Sequence, residues 1–139
     1  MKKDCLLKRV EQQEFEARKF GFCWTNIQQL IEQIQSECLE VEEAWQKNDR
    51  PHLQEELGDL IQAAISLAVF CEVDPHETLL KSIDKFQTRY DHVVKLAKED
   101  GFDTLHHKST ELLMKYWNSA KEHQAKKASS SAPLFNSKS

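Results

Sequence analysis

Apolar residues in this chain recur at the three-and-four spacing of helices. Ile27, Leu30, Ile31, Ile34, Cys38, Val41 and Trp45 form one stripe, predicting a helix from a Thr25 N-cap to about Lys47. Asn48-Asp49-Arg50-Pro51 interrupts it, and proline is tolerated in a first helical turn. A second long helix is therefore expected from near Pro51 to about Glu72, with Leu57, Leu60, Ile61, Ala64, Leu67, Ala68 and Cys71 as its stripe. Its middle, Leu60 to Cys71, is apolar almost all round apart from Gln62 and Ser66, which predicts burial on several sides. Asp74-Pro75-His76-Glu77 reads as a cap, a first-position proline and an acid at the third position. It opens a helix expected to reach about Glu99, with Gly101 as the stop. Residues 3–19 predict a charged, weakly amphipathic helix ended by Phe20-Gly21-Phe22-Cys23-Trp24, and Ser109 to Glu122 predicts a last one.

The expected fold class is therefore all-α, a helical bundle of four to five helices. A chain this short can hardly surround the Leu60–Cys71 segment alone. The bundle is thus expected to be completed by oligomerisation, as a homodimer or homotetramer with Ile65 and Val69 at the contact. Beyond Gln124 the Lys-Lys-Ala-Ser-Ser-Ser-Ala-Pro composition predicts a disordered tail, 124–139, in which Leu134-Phe135 is a weak candidate anchor.

Four acids break the expected pattern. Glu37-x-x-Glu40 and Glu56-x-x-Asp59 each place two carboxylates one turn apart on one side of a helix, on the flank of its apolar stripe. Glutamates are common on solvated helix faces, and that is the competing explanation. Yet no Lys or Arg stands three or four residues from Glu37, Glu40 or Glu56, so the usual surface ion pairs are missing. Gly58 inside the second pair costs a helix about 1 kcal/mol, which is reasonable where a ligand or backbone must come close. Clustered anionic oxygens suit a hard divalent cation, so Glu37, Glu40, Glu56 and Asp59 are the candidate ligands for Mg²⁺, with Mn²⁺ as a substitute.

Lys81, Lys85 and Arg89 follow at four-residue intervals, stacking cations about 6 Å apart on one face. A solvated basic face is the simpler account of them alone. Beside a metal site, they supply what a polyphosphate needs.

Composition narrows the class further. With 139 residues, three Gly and three Pro, one helical domain is expected, and a net charge of −4 argues against a general nucleic-acid binder. Cys5, Cys23, Cys38 and Cys71 show no Cys-x-x-Cys spacing. Cys38 and Cys71 are expected as reduced core residues of a cytoplasmic protein. No apolar run is long enough to span a membrane, and the start carries no apolar leader, so neither is expected. Glu-x-x-His and Gly-x-x-x-x-Gly-Lys are both absent, so a di-iron bundle and a phosphate loop are not indicated.

Three motifs in order resemble the MazG-type family of all-α nucleoside triphosphate pyrophosphohydrolases: the two acid pairs, Lys85-Phe86-Gln87-Thr88-Arg89, and Trp117-Asn118-Ser119-Ala120-Lys121. The resemblance covers roughly residues 20–123, which makes 1–19 an N-terminal helix and 20–123 the catalytic domain. It implies Mg²⁺-dependent hydrolysis of (deoxy)nucleoside triphosphates to monophosphate and pyrophosphate, as nucleotide house-cleaning. It also implies Mg²⁺ on the four acids, phosphate contacts from Lys85 and Arg89, and Trp117 and Lys121 near the nucleotide; Lys81, from the row of cations, and Trp24 are lesser candidates for substrate binding. Gly21-Phe22-Cys23-Trp24-Thr25 matches the family's segment there only loosely, lacking its Asp. Two alternatives stay open: a pyrimidine-specific deoxynucleotide pyrophosphatase, and a non-catalytic oligomerisation module with a degenerate metal site.

Overall fold

The computed structural model describes residues 5–131, which form five α-helices and, among those residues, no strand. The expected first residues of the N-terminal helix, and the Leu134-Phe135 anchor, lie outside the described residues.

α1 (Leu6–Phe20) ends at Gly21, whose φ of 92° is the left-handed conformation that side chains resist. The Phe22 N–H then bonds back to the Ala17 carbonyl at 2.8 Å, closing the helix and turning the chain. α2 (Ile27–Gln46) is capped by Asn26 rather than Thr25: its side chain accepts from the Gln29 N–H at 3.0 Å. Thr25 instead donates through its N–H and its hydroxyl to the Gln29 side-chain oxygen, at 3.0 and 2.8 Å. Asn26 and Gln29 thus act as a variant of the reciprocal capping box, which shifts the expected cap by one residue.

Asn48 in the left-handed region, φ 55°, reverses the chain, and Asp49 caps α3 (Arg50–Phe70) by accepting from the His52 N–H at 3.2 Å. α3 folds back along α2, and α1 packs on α3. Asp74 caps α4 (Pro75–Glu99) as its sequence predicts, accepting from the Glu77 N–H at 2.9 Å, and Gly101 ends it at φ 87°. α5 (Thr110–Ser131) runs past its expected end through Ala125-Lys126-Lys127-Ala128, all good helix formers.

Two compact units divide the chain, one up to Leu80 and one from Lys81. In the first, Leu30, Ala44, Leu53 and Val69 are buried. In the second, Ala97, Tyr116 and Ala120 are buried, and the Tyr116 hydroxyl donates to Asp100 Oδ2 at 2.6 Å. That bond, aided by burial, holds the phenol proton up to about 12.

Several expectations change. The buried residues of α2 are Leu30, Glu37 and Ala44, at seven-residue intervals, so Glu37 sits inside the packing seam rather than beside it. Cys38 and Cys71 are exposed free thiols, not core residues. The apolar stripes are wider than the faces α2 and α3 give each other, and Trp45, at the end of its stripe, is exposed too. Val69 is already buried within one chain, between helices that cover α3 from two sides, whereas Ile61 is 61% exposed, so the earlier part of the segment is left open. Gly58 has open space where a side chain would begin, and among the described residues no neighbour explains it.

Candidate metal centre

The α2–α3 hairpin brings the two acid pairs face to face. One carboxylate oxygen from each of Glu37, Glu56 and Asp59 lies within 4.8 Å of the others. Glu37 and Glu56 are each only 8% exposed, while Asp59 and Glu40 remain open to solvent. Glu40 joins the group through Glu56: its carboxyl is the chief cause that pushes the Glu56 proton up to about 7. Burial and Glu37 push the same way, and His52 alone pulls against them. The direction follows first from the hydrogen bond that a proton on Glu56 makes with the Glu40 carboxylate and then from burial, with like-charge repulsion adding less.

Two further residues hold the acids, and sequence reading missed both. His52 Nε2 stands 3.0 Å from Glu56 Oε1, and the Gln33 side-chain amide donates to Glu37 Oε1 at 2.7 Å. Each lies four residues before its acid, so the i, i+4 rule was the available signal. These contacts use one oxygen of each carboxylate. The second oxygens, Glu37 Oε2 and Glu56 Oε2, are buried and accept no hydrogen bond. Orphaned buried carboxylate oxygens are costly, and among the described residues no Lys or Arg is paired with either acid. A hard divalent cation with oxygen ligands fits this donor set, and Glu37, Glu56 and Asp59 are the residues whose oxygens lie close enough together to hold it, Glu40 reaching them only through Glu56.

A cavity of about 460 Å³ opens beside the cluster, with Glu37 and Asp59 in its wall together with Phe22 and Trp24. Trp24 is thus brought to the same cavity as two of the acids. The remaining predicted residues belong to the second unit. There Arg89 donates through Nε to Gln124 Oε1 at 2.6 Å, and its guanidinium lies 5.7 Å from the Trp117 ring centre. Phe86 lies next to Trp117, with ring centres 5.7 Å apart. Lys81, Lys85 and Lys121 are exposed.

An all-α fold built round a buried carboxylate cluster, fitted to a hard cation, defines the class. The profile of the MazG nucleotide pyrophosphohydrolase domain matches residues 25–94, and the chain belongs to that family. It is 35% identical over 105 residues to the nucleoside triphosphate pyrophosphohydrolase/pyrophosphatase MazG of Thermotoga maritima, covering 76% of this chain and 40% of that protein. It is 37% identical over 78 residues to the uncharacterized protein YabN of Bacillus subtilis, 54% of this chain and 16% of the relative. With the nucleoside triphosphate pyrophosphohydrolase of Escherichia coli K12 it shares 27% identity over 99 residues, 70% of this chain and 38% of the relative. The chain spans less than half the length of each of these relatives. The matched span holds all four acids, Lys81, Lys85 and Arg89, whereas α1, Trp24, Trp117 and Lys121 fall outside it.

Proposed function

We propose that the chain hydrolyses (deoxy)nucleoside triphosphates to the monophosphate and pyrophosphate, with Mg²⁺ held by Glu37, Glu40, Glu56 and Asp59. The observation that carries this reading is the pair of buried oxygens without a hydrogen-bond partner, Glu37 Oε2 and Glu56 Oε2, on acids that cluster with Asp59 in the hairpin of a MazG-family chain. When bound, the cation supplies Lewis acidity toward the phosphate oxygens. Water attacks the α-phosphorus, and the bond to the bridging oxygen breaks to release pyrophosphate. Negative charge builds on that leaving group, and Lys85 and Arg89, supported by Lys81 and Lys121, stabilise it. Arg89 is braced by Gln124 and Trp117, which keeps its planar fork in one orientation for a bidentate phosphate contact. Trp24 and Trp117 offer aromatic faces to the nucleoside.

Assembly belongs to the same proposal. Leu39, Trp45 and Ile61 are each more than 60% exposed, a large apolar surface for a lone subunit, and a homodimer or homotetramer would cover it. A cytoplasmic role in clearing unwanted nucleotides suits this chemistry.

The test is pyrophosphate release from a panel of triphosphates with and without Mg²⁺. Release is expected only with the metal, and Glu37→Gln should lower it by about a hundredfold or more while helix content is retained. Equal turnover by this variant would remove the carboxylate cluster from the reaction.

A further inference from the structure

The cavity beside the acids has a wall that the family match does not include. Glu14 comes from α1, and Phe22 and Trp24 come from the connection that Gly21 turns, all before residue 25. Ser66, on α3, is buried in the same wall, only 5% exposed, and its hydroxyl donates to Glu14 Oε1 at 2.6 Å. This bond commits the single Ser66 proton and fixes the Glu14 carboxylate against α3. Among the described residues, Ser66 is the only hydrogen-bond partner of the Glu14 side chain, so Oε2 and the second lone pair of Oε1 both retain accepting capacity. Ser66 follows Asp59 by two helical turns, about 10 Å along α3. That span is comparable with the reach of a nucleotide from its α-phosphate across the sugar to the far edge of the base.

We propose that this cavity receives the nucleobase, and that Glu14, steadied by Ser66, is a specificity-determining residue selecting bases with two adjacent N–H donors, guanine above all. The inference rests on the pyrophosphohydrolase reading and deepens it. A carboxylate only accepts hydrogen bonds. Guanine presents N1–H and the exocyclic N2–H side by side, matching two carboxylate oxygens. Adenine and cytosine offer one amino group beside a ring nitrogen, which turns a lone pair toward the second oxygen. Thymine and uracil flank their N–H with two carbonyls and are repelled on both sides. Stacking on Phe22 and Trp24 is tolerant of base identity, so discrimination falls to Glu14. A site built to bond a donor rejects ligands that leave it unpaired.

The experiment is calorimetric binding of dGMP, dAMP, dCMP and dTMP to the full chain in Mg²⁺, alongside turnover of the four triphosphates. The wild type should bind dGMP tightest. Glu14→Gln should weaken dGMP by about tenfold to a hundredfold, the worth of one charge-assisted hydrogen bond, and leave dTMP unchanged. In turnover the loss should fall on KM for dGTP, with kcat kept. Ser66→Ala should shift the preference the same way by a smaller factor, and it carries the test if Glu14→Gln fails to fold. Equal affinity for the four monophosphates, or dGMP binding indifferent to a folded Glu14 or Ser66 variant, overturns the proposal. Glu14-dependent dGMP binding without hydrolysis of any triphosphate would sink the enzymatic reading and keep the base site. Hydrolysis of all four alike, unaffected by Glu14→Gln, would do the reverse.

Discussion

His52 stands one turn before Glu56 on α3, its Nε2 3.0 Å from Glu56 Oε1. Of the groups around that carboxyl, it alone favours the ionised form. The Asp49 cap on the His52 N–H fixes the backbone from which the imidazole reaches.

Replacing His52 with Ala should therefore let the Glu56 proton rise further, so that it competes with the cation at neutral pH. Groups that orient metal ligands typically contribute about tenfold or more in affinity. Calorimetric Mg²⁺ titration at about pH 7 should show such a loss, narrowing at about pH 9, where the carboxyl ionises regardless. An unchanged affinity at neutral pH would make His52 a spectator.

Stability without metal should follow Glu56. Its proton is held from an ordinary 4.5 up to about 7, so its contribution is fully present below pH 4.5 and is lost as pH rises through about 7. The Tm of the metal-free protein should fall between about pH 5 and about pH 8, and Mg²⁺, which binds the ionised form, should reverse that fall. Thermal melts by circular dichroism with and without Mg²⁺ decide it, and parallel curves would count against the coupled cluster.

Arg89→Lys would remove both the Nε bond to Gln124 and the planar group beside Trp117. A point charge cannot reproduce a bidentate contact with the departing pyrophosphate, so kcat for the triphosphate should fall by about tenfold. Steady-state kinetics with the wild-type kcat intact would leave Arg89 a structural residue of the second unit.

Assembly is best probed at Ile61. Ile61→Asp alters a side chain that is 61% exposed, so the fold of one chain should survive while the assembly state drops. Val69 cannot serve this purpose, because it is buried within the chain and a charge there would disrupt the subunit itself. Light scattering that finds the same mass for variant and wild type would place the contact elsewhere.

The helices were legible because their ends are written locally: Asp74 and Gly101 act where the sequence puts them, and the break at 48–51 falls where expected, with Asp49 as its cap. The Asn26 cap was missed because Thr25 and Asn26 are both competent, and only the Gln29 geometry chooses between them. The acid pairs were legible from spacing, but their burial was not. Angular position alone put Glu37 on a flank, whereas packing against α3 draws it in line with Leu30 and Ala44. Cys38 and Cys71 were misplaced for the converse reason, since periodicity reports that a face is apolar, not what covers it. The Glu14–Ser66 contact joins positions 52 residues apart, and no local rule carries such information.

Glu37 occupies a slot on α2 that a leucine would fill to the benefit of the hairpin, and Glu56 is buried opposite it. Selection for heat resistance alone would therefore drift toward apolar residues at these two positions, since exchanging buried charges for well-packed hydrocarbon often strengthens a fold. Any programme to harden this scaffold by directed evolution should hold positions 37 and 56 fixed, or it will yield tougher bundles that have lost their carboxylate cluster.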